Sequence, residues 1–140
     1  MTLTRRLLAP CLLLTACAMT LADPATAQTY PTKPITMIVP YAAGGNVDIS
    51  ARVLQAAIGD TLGQPIIIEN RPGGGGTIAG DYVARSAPDG YTLFVGSNGP
   101  VMLGPMTMAK PPYQWDKVFE PVSMLAVATN MLLVSPKVPA

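Results

Sequence analysis

The clearest hydrophobic pattern is a short apolar run from Ile35 to Val39, closed by Pro40, which predicts a buried strand. Small residues follow from Tyr41 to Gly45. Asn46 is then expected to cap a helix from Val47 to about Thr61, with Asp48 in its first turn, where a negative charge suits the helix dipole. Ile49, Val53, Ala56 and Ala57 fall on one stripe of that helix, and Leu54, Ile58 and Leu62 on an adjoining one. Gly63 and Pro65 supply the stop. The plan then repeats. Ile66 to Ile68 reads as a β-branched strand, Arg71 to Gly76 as a glycine loop, and Thr77 as the cap of a helix reaching Ala84 or Arg85. Pro88-Asp89-Gly90 makes a turn, and Tyr91 to Val95 a third strand. Strand, helix, strand, helix, strand in succession favours a parallel sheet with right-handed crossovers, so the fold class is α/β. Beyond Gly96 prolines break up a Met-rich segment, and Val122 to Val127 and Met131 to Val134 are expected to add two strands.

The first 27 residues do not belong to this pattern. Arg5 and Arg6, an apolar run from Leu7 to Leu14 and later small residues have the layout of a cleaved secretory signal peptide, with Ala25-Thr26-Ala27 as the cleavage site. Leu14 to Cys17 offers a competing lipoprotein reading, with Cys17 lipidated. The expected division is a signal peptide over 1–27 and a binding-protein portion over 28–140, in an extracytoplasmic, periplasmic compartment. With 140 residues there is material for one modest domain and not for two lobes, so a truncated chain is expected.

Composition narrows the chemistry. Both cysteines lie in the leader and the chain has no histidine, which removes disulfides, thiolate metal sites, His-based triads and the usual zinc ligand from residues 28–140. Seven basic residues balance seven acidic ones there, so neither nucleic acid nor an anionic membrane is an indicated partner. No metal, cofactor or catalytic residue is expected.

The candidate site is the mouth of the first strand. Gly44 and Gly45 allow backbone to approach a ligand, the helix start offers N–H groups to a carboxylate or phosphate, and Ser97 and Asn98 follow the third strand at the same edge. Asp48 has two readings, a dipole-stabilising first-turn residue or an acceptor for a ligand's ammonium group. Gly74-x-Gly76-x-x-Ala79 fits a relaxed dinucleotide fingerprint, but it follows the second strand instead of the first, and the next strand ends in Ser97 and Asn98 where an acidic residue is expected. Tyr113, Trp115 and Phe119 read as loop packing in preference to a sugar-stacking platform.

Tyr30 to Ile35, Ile38 to Asp48, Ala51-Arg52, Leu62 to Pro65, Glu69 to Gly76, Pro88 to Leu93, Gly96 to Pro100 and Glu120 to Val122 stand in an order that resembles the Bug-type periplasmic solute receptors of tripartite tricarboxylate transporters. The resemblance implies a Venus-flytrap receptor holding a ligand carboxylate through loop backbone and bridging waters. Tyr41, Ala43, Gly44, Gly45, Asp48, Ser97 and Asn98 would be this lobe's contribution. It implies as ligand a di- or tricarboxylate, an amino acid or an aromatic acid, and as partner the transporter's integral-membrane permease. The family's receptors are longer, so most of the second lobe and its contacts are expected to be missing. Thr36-Met37 and Pro111 to Trp115 depart from the family pattern outside the carboxylate loops. An exported α/β hydrolase or oxidoreductase, or a fragment that does not bind, are the alternatives.

Overall fold

β1 (Ile35–Val39) is the centre of the fold, because its side chains are buried on both faces: Met37 and Val39 on one, Ile38 on the other. Such a strand reads as a continuous apolar run instead of an alternating one. The computed structural model describes residues 29–129 and 131–137; the expected leader, with Cys11, Cys17 and the site after Ala27, lies outside the described residues. Within the unit Pro31–Ala140, β2 (Ile66–Asn70) and β3 (Thr92–Phe94) flank β1 in the order β2-β1-β3. Both pairings are parallel. Ile35 lies opposite Ile66 and Val39 opposite Asn70, while Thr36 meets Thr92 and Ile38 meets Phe94. The Thr36 N–H donates to the Tyr91 carbonyl at 2.8 Å and the Val95 N–H to Ile38 at 2.9 Å, so the ladder reaches both ends of the expected third strand.

α1 (Asn46–Leu62) carries the chain from β1 to β2, and α2 (Thr77–Ala84) carries it back past β1 to β3. Right-handed crossovers travelling in opposite directions put the two helices on opposite faces of the sheet. Burial agrees with this. Met37, Val39, Ile66 and Val95 cluster with Ala51 of α1, and Val47, Leu54, Ile58 and Leu62 pack against them. On the other face Phe94 meets Phe119 at 5.5 Å between ring centroids, and Tyr113 meets Phe119 edge-on at 5.2 Å. The Tyr113 hydroxyl donates to the Pro100 carbonyl. A 3-10 turn (Gly74–Gly76), a five-residue π-helical turn (Gly99–Leu103) and two short helices, α3 (Gly104–Met106) and α4 (Trp115–Val118), complete the regular structure of the described residues. No described helix is long and apolar enough to cross a membrane.

Four expectations need correction. Gly45, with extended backbone, is the N-cap of α1 and Asn46 is its first helical residue. No side chain caps the helix end itself; Asp48, three residues past Gly45, instead reaches back to the Gly44 N–H at 2.8 Å. Thr77 likewise is the first residue of α2 and Gly76 its N-cap; the Thr77 hydroxyl donates to Gly74 O at 2.7 Å and closes the preceding turn. Of the two stripes on α1, only that of Leu54, Ile58 and Leu62 faces the core. Ile49 and Val53 are more than half exposed, because Asp48 and Ala51 fix which face turns inward. Val122 to Val127 and Met131 to Val134 form no strands. Among the described residues no strand lies beside them to complete their backbone bonds, and their side chains are exposed, Leu132 at 94%.

Candidate functional site

The strand order places the site. In an open parallel sheet ligands bind beyond the carboxyl ends of the strands, where successive connections leave in opposite directions. That place lies between β1 and β3. Tyr41, two residues past β1, and Ser97, three past β3, meet there with hydroxyl oxygens 2.8 Å apart. Behind this contact opens a cleft of about 670 Å³. Tyr41, Asn46, Val47 and Ser50 form one wall, Phe94 to Asn98 another, and Ser123 to Ala128 a third.

The loop after β1 is built around one carboxylate. Asp48 is 1% exposed and takes four hydrogen bonds. Oδ2 accepts from Gly44 N at 2.8 Å and Arg52 Nε at 2.9 Å; Oδ1 accepts from Arg52 Nη2 at 3.1 Å and Asn70 Nδ2 at 2.9 Å. These partners, Arg52 foremost and then the Gly44 N–H and Asn70, hold the Asp48 carboxyl well below the usual carboxylate range against the opposing effect of burial. The same pairing raises Arg52. Gly44 has φ +83°, which L side chains rarely adopt, and this left-handed turn aims its N–H at Asp48. Asn70, at the end of β2, also donates to the Tyr41 carbonyl at 3.0 Å.

The expected site residues therefore divide by role. Tyr41, Ser97 and Asn98 line the cleft. Ala43 and Gly44 are exposed in the loop after Tyr41, and Gly45 is half-buried at the helix start; none of the three lines the cleft. The N–H groups of Gly44 and Gly45 are already engaged, by Asp48 and by the Ala42 carbonyl. Of the two readings of Asp48, the geometry supports the first-turn one, since its lone pairs are filled by donors of the chain itself. Sequence reasoning missed Asn46, Val47 and Ser50 as wall residues, although Ser50 lies four residues past Asn46 and three past Val47, spacings that share a helix face. It also missed Asn70, the last residue of β2, two positions past the apolar run Ile66 to Ile68. Residues 123–128 carried no signal for the third wall.

The dinucleotide-like glycines serve packing. A Cβ on Gly76 would press on Pro100 and lie 3.0 Å from Pro40 Cβ, and one on Gly74 would lie 2.8 Å from Thr77 Oγ1. A shallower hollow of about 540 Å³ by Gln55, Asp60 and Gln64 lies at the opposite end of the strands.

A hydroxyl-lined cleft at the switch point of a small parallel sheet defines a ligand-binding α/β lobe of the periplasmic-binding-protein type. The family model described as the tripartite tricarboxylate transporter family receptor, TctC, matches residues 50–140, and the chain belongs to that family. BugT of Bordetella pertussis is 44% identical over 118 residues, 84% of this chain and 36% of that protein. A UPF0065 protein of Bordetella bronchiseptica is 39% identical over 131 residues, 93% of this chain and 39% of its own. The matched region thus spans little more than a third of these curated relatives. Among solved structures, MatC from Rhodopseudomonas palustris with bound malate is 46% identical at a TM-score of 0.65, covering 69% of this chain and 33% of its own. A second R. palustris protein, with adipate, is 34% identical at a TM-score of 0.59, covering 62% of this chain and 29% of its own.

Proposed function

We propose that this chain is part of an extracytoplasmic receptor that captures a small carboxylate-bearing solute and delivers it to the integral-membrane permease of a tripartite tricarboxylate-type transporter. It acts by binding, not by catalysis, in the periplasm after removal of the leader at Ala27. The observation that carries this reading is the pairing of Tyr41 and Ser97 across a cleft that also takes in the start of α1. Asn46 and Val47, the first two residues of a 17-residue helix without a side-chain cap, line that cleft. Helix starts attract anions through N–H groups and the dipole. The nearby Asp48 does not oppose this, because Arg52 pairs with it. Malate and adipate in two related structures support a carboxylate as the ligand class.

The solute is held by donors, with Tyr41, Ser97 and Asn98 at the cleft and the Ala43 to Gly45 loop beside it. The test is thermal unfolding of the chain with malate, adipate and a wider carboxylate panel. Saturable stabilisation of about 2.7 kcal/mol at a hundredfold excess over Kd is the expected result. Cooperative unfolding that no carboxylate shifts would sink the reading for this chain.

A further inference from the structure

We infer that Asn70 is a positioning residue for solute capture: it does not itself line the cleft, yet through the Tyr41 backbone it sets the conformation of the loop that supplies the Tyr41 hydroxyl. This deepens the receptor reading and rests on it. One side-chain amide nitrogen donates both its hydrogens, to the Tyr41 carbonyl at 3.0 Å and to Asp48 Oδ1 at 2.9 Å. These two acceptors belong to opposite ends of the loop, the residue after Pro40 and the first turn of α1. Asn70 therefore closes the loop like a rivet from the neighbouring strand, and it is the only described side chain that bonds both ends.

The register makes this possible. Asn70 lies opposite Val39 in the parallel ladder, and the Arg71 N–H continues the ladder to the Val39 carbonyl at 2.8 Å. The amide is thus anchored to the rigid end of the sheet, and the loop is anchored to the amide. With both acceptors satisfied, Tyr41 is held where its hydroxyl meets Ser97. Freed of Asn70, the loop must find its conformation during binding, and ordering a segment at that moment costs affinity.

The chemistry demands a donor with two hydrogens on one atom at this reach. Aspartate has the same shape and none, and would face a carbonyl and a second carboxylate. Alanine takes the donor from the Tyr41 carbonyl and leaves Asp48 Oδ1 to Arg52 alone. The two variants Asn70→Ala and Asn70→Asp therefore remove the rivet in different ways and should share one phenotype.

The experiment follows backbone amide exchange in the full chain by NMR, alongside malate affinity. In both variants the Gly44 and Gly45 amides should exchange about tenfold faster, while the core Val95 amide, bonded to Ile38, keeps its rate. Malate affinity should fall by a similar factor. Equal acceleration at Gly44 and Val95 would show a general loss of stability and overturn the inference, as would unchanged loop exchange. Faster loop exchange with unchanged malate affinity would overturn it too. If the unaltered chain fails to bind malate, adipate and the rest of the panel, the receptor reading falls and Asn70 loses its role in capture; the exchange rates then decide only whether it fixes the loop.

Discussion

At the scale of single residues the loop depends on the ionised form of Asp48. Its folded-state carboxyl titrates well below its ordinary value of 3.8, because Arg52, the Gly44 N–H and Asn70 favour the charged form. The stabilisation this provides is therefore fully present above that value and is lost as pH falls from it toward the folded value. Asp89, lowered chiefly by Lys33, follows the same direction, so acid sensitivity is shared. Urea unfolding midpoints should fall as pH drops from about 4 to about 2, and an Asp48→Asn variant should start lower and decline less steeply. Parallel curves for the two proteins would contradict the assignment. Little of this was legible beforehand. Asp48 stood out as a first-turn acid, but its partners come from α1, the loop and β2, and a linear reading has no means of placing Asn70 beside it.

At the scale of elements the sequence carried more. β1, α1, β2, α2 and β3 lie where apolar periodicity and glycine or proline punctuation put them, because those signals are local to each element. What failed was local. Caps shifted by a residue where Asp48 and Thr77 made bonds of their own, and the inward face of α1 was decided by Ala51, too small to dominate a stripe. Two glycines show how differently an element uses the same residue. Gly59, inside α1 with ordinary helical backbone and open space around its Cβ position, should tolerate alanine and gain about 0.5–1 kcal/mol from the stiffer unfolded chain. Gly76, at φ +92° and pressed on Pro100, should lose about 3 kcal/mol when changed to alanine. Chemical denaturation of the two variants tests both signs.

At the scale of the whole molecule the unbalanced part is the segment beyond α4. Val122, Met124, Val127, Met131, Leu132 and Leu133 are each more than three-quarters exposed. Their apolarity suggested strands, and the expectation failed because a strand is a property of a pair. An exposed apolar stretch of this kind should bind a hydrophobic dye and promote self-association at high concentration. Changing Val122 and Leu132 together to Lys should reduce dye fluorescence and light scattering, with the unfolding free energy held within about 0.5 kcal/mol. Unchanged fluorescence would mean that the segment is covered in solution.

The sheet order has one more implication, and it concerns time. β1 is the first element of the sheet to be made, yet it is the strand that both others need. Ile35 waits for Ile66, and Thr36 waits for Thr92, before either edge is covered. Contacts so distant along the chain form slowly, since the intervening loop must close before any pairing rewards it. The most apolar strand of the molecule thus spends the longest interval without neighbours. Within the sheet, whatever meets the nascent chain in that interval meets Ile35 to Val39 first.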